Sequence, residues 1–509
     1  MGRRATILMV AAMTAAVLVP GPGAASAVEP TCQTEIPVGG DVDGDALSDL
    51  VVGLPGWDGG TGAVDLRLTS APSRLLTKQA AGYPEWERED RFGSAVALAD
   101  LDADGCDDLV IGAPGTLDGA GRVHFVSGAP GGFVTTDRVT EDGGATPEDG
   151  FGSAIAIAEN PELPGFDLWV GSPNDSPGAV ARAGSITHFR VITTKTGSFE
   201  VEEVETLSQA TPAVPGVPEV DDHFGAVLSA SHRGLVIGVP HEDVGSVRDA
   251  GAVTMLATLD AVPGFDTATA WSQATHRMPG TPETSDRFGA AVSATSEHIV
   301  VGVPGEDVGE RRDAGMLQTF DHAFDEDLPE PVDGLTQGSR GIPGVAEAGD
   351  QLGAAVMVGA NVGCGEGVMQ AAAGAPGEDI RVSGTNRSNA GTVLVLPLTD
   401  QRWCPARFDD QSTVLAGTAE TEDRLGSTLG LGPIRIDHDD ETGDRVFIGA
   451  PGEDHGSVTD AGIVVGTAVG TRASANDILV AGRARPSVGF SRGAEAGTRY
   501  GSVLAVPAR

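Results

Sequence analysis

The chain repeats itself seven times, and no other feature restricts its fold as strongly. A short β-branched run ending in Gly-small-Pro recurs as DLVVGLPG at 49–56, DLVIGAPG at 108–115, DLWVGSPN at 167–174, LVIGVPHED at 235–243, IVVGVPGED at 299–307, AAAGAPGED at 371–379 and VFIGAPGED at 446–454. Its glycines are Gly53, Gly112, Gly171, Gly238, Gly302, Gly374 and Gly449, spaced by 59, 59, 67, 64, 72 and 75 residues. A second phrase also occurs seven times: RFGSAVAL from Arg91, GFGSAIAI from Gly150, HFGAVLSA from His223, RFGAAVSA from Arg287, QLGAAVMV from Gln351, RLGSTLGL from Arg424 and RYGSVLAV from Arg499. A small-Gly-x-Val phrase, such as TGAVDL or AGAVTML, follows each copy of the first.

Each unit therefore holds several Val/Ile/Ala-rich runs, 5–8 residues long, separated by Gly, Pro and Asp turns. Runs of that length and composition read as strands. A unit has room for four. One four-stranded sheet cannot bury both its faces, whereas seven packed radially bury one another and leave only short edges. The small residues after the aromatic of the second phrase suit an inner strand crowded near a central axis. The first unit lacks the second phrase and the last residues of the chain supply it, at Arg499-Tyr500-Gly501. The expected fold is thus all-β: a seven-bladed β-propeller over residues 28–509, closed by pairing of the C-terminal strand, 499–506, with the N-terminal blade. Tyr500 would take the buried aromatic position of Phe92 and Phe151.

The alternating FG and GAP phrases, with aspartate loops between them, resemble FG-GAP repeats, the blades of the integrin α-chain head propeller. The resemblance covers nearly the whole chain after residue 27. It implies a seven-bladed propeller with calcium loops between the first and second strands of some blades, and ligand binding on the opposite face. The family also includes sugar-binding lectins and accessory propellers of secreted phospholipases.

Two loops carry the metal chemistry. Asp41, Asp43, Asp45 and Asp49 in unit 1, and Asp100, Asp102, Asp104 and Asp108 in unit 2, both read D-x-D-x-D-x-x-x-D. Calcium takes several hard oxygens around a tight turn. Carboxylates at positions 1, 3, 5 and 9 supply these, with the backbone carbonyl of position 7, Leu47 or Cys106. Four clustered carboxylates without a cation would repel. Gly105 favours the turn; Ala46 stands in its place in unit 1. Unit 3 keeps only Glu159 and Asp167 and reads as empty, units 4, 5 and 6 lack the cluster, and unit 7 has Asp437, Asp439 and Asp444 one residue out of register, a candidate third site.

Units 4, 5 and 7 share a second loop: HEDVGSVRDAG, GEDVGERRDAG and GEDHGSVTDAG. Recurrence favours a structural task, with Asp249, Asp313 and Asp460 capping the turn into the next strand. The alternative is a ring of acidic loops for cations, basic proteins or sugar hydroxyls. Catalysis finds little support. The one G-x-S-x-G, Gly489 to Gly493, lacks a strand-to-helix context, and neither HExxH nor GxxxxGK[ST] occurs. The tryptophans and tyrosines, Trp57, Trp86, Trp169, Trp271, Trp403, Tyr83 and Tyr500, occupy no repeated slot, which disfavours a repeated sugar platform.

Residues 1–27 read as a signal peptide: Arg3 and Arg4, an apolar run of 13 residues from Ile7 to Val19, then Ala25-Ser26-Ala27. Its removal takes two positive charges from a net charge of −41, leaving −43. That balance disfavours nucleic acid and anionic membrane surfaces. Four cysteines in an exported chain point to two disulfides with three connectivities open. Adjacent blades would bring Cys32 to Cys106, and Cys364 and Cys404 both lie in unit 6. The expected function is that of a secreted, extracellular, monomeric, calcium-binding interaction or adhesion module without catalysis or membrane anchor. Its partner would be an extracellular protein or glycan. A lectin is the first alternative and a propeller-based hydrolase or lyase the second.

Overall fold

The structure, a computed structural model, describes residue 32 and residues 39–68, 72–81, 88–140, 145–160, 164–194, 197–257, 265, 267–321, 329–360, 368–398, 405–412, 415, 418–434, 443–454, 459–466, 480–481, 503–504 and 506–507. Seven sheets of four or five strands, antiparallel but for one short pair in the second, follow one another. The second blade shows the plan: Val96–Ala99 is its inner strand, followed outward by Asp108–Ala113, Arg122–Ala129 and Gly132–Thr140. The third, fourth and fifth blades repeat it, beginning at Ala154–Glu159, Val227–Ser231 and Ala291–Ala294. The sixth and seventh begin at Ala355–Ala360 and Thr428–Ile434. The expected all-β, seven-bladed propeller is the architecture found.

Strand position explains composition. The second strand of a blade is flanked by sheet on both edges and by neighbouring blades on both faces. Leu50–Leu54, Asp108–Ala113, Gly234–Val239 and His298–Val303 are accordingly buried at every position, which is why they read as unbroken apolar runs. The outer strand Phe199–Leu207, FEVEEVETL, has solvent on one side and intersperses glutamates with Phe199, Val201 and Val204. The aromatic of the second phrase enters the core between blades: Phe92, Phe151, Phe224 and Phe288 are fully buried, as are Leu352 and Leu425 in the same slot. Each also bridges to the preceding blade, Phe92 to Gly62 and Phe288 to Gly251.

Inner strands touch in sequence around the axis, from 96–99 through 154–159, 227–231, 291–294 and 355–360 to 428–434. Serines tie some neighbours: Ala294 N donates to Ser229 Oγ at 3.0 Å and Val358 N to Ser293 Oγ at 3.1 Å. The C-terminal segment divides its pairing. Val503 and Leu504 pair antiparallel with Gly53 and Val52 of the first blade. Val506 and Pro507 run parallel to Ala97 and Leu98 of the second, where a single strand of blade one was expected. Near the axis successive inner strands lie side by side, so a segment leaving one can pair with the next. Tyr500, the signal-like residues 1–27, the Gly489–Gly493 motif, Cys364 and Cys404 lie outside the described residues.

Deleting Arg499 to Arg509 tests whether this segment closes a ring. Loss of the segment exposes the edges of Leu50–Leu54 and Val96–Ala99. The expected outcome is a marked fall in melting temperature with aggregation, read by calorimetry and light scattering. A truncated chain that melts like the parent and stays monomeric refutes closure, since trimming a loose tail has almost no effect.

Candidate metal centre

The two aspartate loops sit at the same end of adjacent blades, residues 100–107 after the inner strand of the second and 41–49 before Leu50–Leu54 of the first. They are one turn built twice. The first aspartate closes it: Asp41 accepts the backbone N–H of Gly44 at 2.7 Å and Ala46 at 2.8 Å, Asp100 that of Asp104 at 3.0 Å and Gly105 at 3.1 Å. The fifth-position carboxylate accepts the N–H of the seventh residue, Asp45 from Leu47 at 2.7 Å and Asp104 from Cys106 at 2.8 Å. The ninth reaches back to the second, Asp49 to Val42 N at 2.9 Å and Asp108 to Leu101 N at 2.8 Å. Ala46 takes a left-handed φ of 65°, where Gly105 has 94°. The replacement therefore keeps the turn with some strain.

Carboxylate oxygens of Asp41, Asp43 and Asp45 lie within 4.8 Å of one another, as do those of Asp100, Asp102 and Asp108. Asp49 and Asp104 stand outside these trios, held by the backbone bonds just given. Asp43 Oδ1 and Asp45 Oδ2 are buried with no hydrogen-bond partner. Burial, then the neighbouring carboxylates, pushes Asp43 and Asp102 up to about 6; burial first and then Asp102 push Asp108 up to about 8. Orphaned, crowded, hard oxygens of this kind fit a hard divalent cation. Asp104 also lies against the sulfurs of Cys32 and Cys106. Those sulfurs are joined to each other and so offer no thiolate ligand.

The loops are fastened together. Cys32 and Cys106 form a disulfide, as expected. Asp107 N donates to Asp41 O at 2.7 Å, Ala129 N to Val42 O at 3.0 Å and Gly131 N to Asp43 O at 3.2 Å. The side chain of Asp107 accepts Gly40 N at 2.5 Å. Position of one loop thus sets that of the other.

In the third blade, Asp167 occupies the ninth position, but its oxygens meet nitrogen: Asn160 Nδ2 and His188 Nε2 each lie at 2.8 Å. His188 is stacked on Trp169, ring centroids 3.9 Å apart. The acidic stretch 435–442 of unit 7, with Asp437 and Asp439, lies outside the described residues. Trp169 and Trp271 are buried in the core.

At the opposite end, the HED and GED loops have the structural task expected of them, with one correction. Asp249, Asp313 and Asp460 do not cap; they adopt φ of 51°, 52° and 51° and donate their backbone N–H. The acceptors are Asp243, Asp307 and Asp454, at 2.9, 2.9 and 3.0 Å. An aspartate tolerates the left-handed turn better than most residues, and the earlier aspartate's side chain is the one within reach of the turn. Blade six uses Asp379 and Asn389 in the same way, at 3.0 Å.

Replacing both Cys32 and Cys106 by serine should weaken this end of the molecule. The bond joins residues 74 apart, a loop-closure contribution of about 4.5 kcal/mol at most. The double variant should melt lower and bind divalent cations less tightly in titration calorimetry. Unchanged values for both would show that the backbone bonds alone fix the loops.

Residues 92–126 match the FG-GAP repeat family. A curated relative, integrin alpha-PS2 of Drosophila melanogaster, is 31% identical over 154 residues, covering 28% of this chain and 10% of that integrin. Two solved structures are similar: the Dos1 propeller, with 12% identity, TM-score 0.36 and coverage of 77% of this chain and 72% of that one, and Sqt1 from Chaetomium thermophilum, with 13% identity, TM-score 0.39 and coverage of 78% and 89%. The blade count rests on strand pairing rather than on these two likenesses. With one matched FG-GAP repeat and seven FG and GAP phrases set in seven blades, this chain resembles the FG-GAP propeller of the integrin α-chain.

Proposed function

We propose that this chain is a secreted, monomeric FG-GAP propeller that holds calcium at one end and binds an extracellular protein or glycan at the other, without catalysis. The observation that carries the calcium reading is a carboxylate trio in each loop, with buried, partnerless oxygens at Asp43 and Asp45. Asp41, Asp43, Asp45 and Asp100, Asp102, Asp108 are the carboxylate ligands in this reading. Asp49, Asp104 and the carbonyls of Leu47 and Cys106 complete the two sets. The ion supplies positive charge to a turn whose carboxylates otherwise repel, so its role is to rigidify the loops.

The ligand face is argued from exposed apolar side chains. Leu117, Val217, Val220 and Val345 are 42%, 69%, 62% and 64% exposed. All four lie in connections at the end opposite the aspartate loops. Val217 and Val220 share one connection, and in this reading the four side chains offer apolar contact at that end. Among the described residues no helix is long and apolar enough to cross a membrane.

Chelation should lower the melting temperature and added calcium restore it, because the folded loops bind what the unfolded chain does not. Calorimetry should count one calcium fewer after Asp102→Asn with Asp104→Asn. The pH sign is fixed by the raised carboxyls. A group whose folded value lies above its unfolded one stabilises below the unfolded value and loses that contribution as pH rises through the folded one. With Asp43 and Asp102 raised from 3.8 to about 6, the metal-free protein should lose stability as pH rises from about 4 through 6, and calcium should abolish the loss. A protein indifferent to both chelator and calcium refutes the metal reading.

Val217→Asp with Val345→Asp tests the ligand face. Against an array of glycans and extracellular proteins, the parent should select a ligand and the double variant should bind it at least tenfold more weakly, at an unchanged melting temperature. Equal binding would place the ligand elsewhere.

A further inference from the structure

Where consecutive blades meet, at the end away from the aspartate loops, three segments converge: the end of an outer strand, the connection into the next blade, and the loop after that blade's second strand. In four described junctions they assemble the same three side chains. Gln209 Nε2 donates to Glu242 Oε2 at 2.7 Å, Gln273 to Glu306 at 2.5 Å, Gln337 to Glu378 at 2.5 Å and Gln411 to Glu453 at 2.9 Å. Beside each glutamate is an aspartate, Asp222, Asp286, Asp350 or Asp423, each 1% exposed. Each accepts the backbone N–H of the residue three before it, at 2.5 to 2.6 Å. Two carboxyl groups of like charge thus share a pocket with a neutral amide, an unfavourable arrangement unless something compensates.

The compensation differs from junction to junction. Between the first two blades the glutamine slot is Lys78 and the glutamate slot Thr116. Lys78, 4% exposed, places Nζ 3.0 Å from Asp90 Oδ2. At Asp423 the Arg387 guanidinium supplies an attractive charge. At Asp350 the neighbouring Glu378 carboxyl acts to lower the value that burial raises.

The junctions of blades three and four and of blades four and five have none of these. The charged groups acting on Asp222 are Glu219, Asp243 and Asp221, and those acting on Asp286 are Glu306, Glu283 and Asp307, all acids. Of the two, the junction of blades four and five also leaves an aspartate oxygen orphaned. Asp286 Oδ1 is buried without a partner, and so is the Oε1 of Gln273, which is 4% exposed. The bond from Gln273 to Glu306 holds that amide in the pocket. Gly280, at φ +87°, leaves room for it: a Cβ there would stand 2.4 Å from Gln273 Nε2 and 3.5 Å from Glu306 Oε1.

We propose that this junction is a further cation site, in which Asp286 Oδ1, Gln273 Oε1 and the Glu306 carboxylate bind calcium where the Lys78 ammonium stands between blades one and two. All three are hard oxygen donors of the kind calcium takes, with waters filling the remaining positions. Glu283 and Asp307 add a negative field at the mouth that attracts a cation.

The test transplants the lysine solution. Gln273→Lys with Glu306→Thr rebuilds the Lys78, Asp90, Thr116 set around Asp286. Calcium bound per full-length chain is counted by equilibrium dialysis and metal analysis at pH 8.5, where the carboxyls are ionised. The transplant should bind one calcium fewer than the parent and melt in chelator at or above the parent's temperature, because the ammonium replaces the ion. Asp286→Asn should lose the same single calcium, which decides the matter if the transplant does not fold. Unchanged counts in both variants overturn the site. So does a parent stabilised at this junction only by acid, its difference from the transplant vanishing at pH 6 and indifferent to calcium at pH 8.5, the mark of a shared proton. Repeating the count on chains carrying Asp43→Asn and Asp102→Asn separates this site from the loops: failure of the loop reading leaves the loss of one calcium on transplantation intact.

Discussion

The propeller depends on a backbone contact between blades that only glycine permits. A Cβ placed on Gly112, in the second strand of blade two, would stand 2.0 Å from the carbonyl oxygen of Gly152 in blade three. The approach is the same from Gly53 to Gly93 at 2.1 Å, Gly171 to Gly225 at 2.0 Å, Gly238 to Gly289 at 2.1 Å, Gly302 to Gly353 at 1.9 Å and Gly374 to Gly426 at 1.9 Å. One partner is the glycine of the GAP phrase and the other that of the FG phrase. The second glycine also donates its N–H to the GAP glycine of its own blade, Gly152 to Gly171 O at 3.1 Å and Gly353 to Gly374 O at 2.9 Å. The aromatic before it is thereby held between sheets. Blade spacing, core filling and the repeating phrases are three aspects of this one contact.

Fixing the blades so closely leaves their ends free to diverge. At one end, two blades carry aspartate turns joined by a disulfide and by backbone bonds, so that the Asp41 and Asp100 loops are held as a pair. At the other end, the loops after the second strands rely on a side-chain cap, Asp243 on Asp249 or Asp307 on Asp313, and expose apolar residues between acidic clusters. The first end is cross-linked between blades, and the second closes each loop within its own blade.

Much of this was legible in the sequence because it depends on local pattern. The seven blades follow from the spacing of Gly53 to Gly449, and the convergence of Asp41, Asp43 and Asp45 follows from alternate residues around one turn. Cys32 to Cys106 followed from placing two loops on adjacent blades. What escaped was non-local. The glutamines of LSQA, WSQA and LTQG read only as strand ends, although their recurrence was visible; their partners lie 33 residues away for Gln209 and Gln273 and 41 for Gln337. The choice of Asp243 over Asp249 as cap depended on a left-handed φ at Asp249, which no pattern of residue types specifies. The division of the C-terminal segment between two blades likewise turns on how inner strands crowd at the axis.

The blade junctions show how a repeat protein varies within a fixed frame. The backbone around Asp90, Asp286, Asp350 and Asp423 is held identically: Gly115, Gly305, Gly377 and Gly452 each donate N–H to the aspartate's carbonyl at 3.1 Å. The buried carboxyl is thus imposed by the frame, and each junction must meet its charge with whatever its own side chains provide. Lys78 and Arg387 are two different answers to one electrostatic demand. Burying a carboxylate without any answer would be strongly destabilising. Charge compensation, more than shape, is therefore where these blades were free to differ, and a difference of that kind between identical backbones can turn one junction of a structural ring into a binding site.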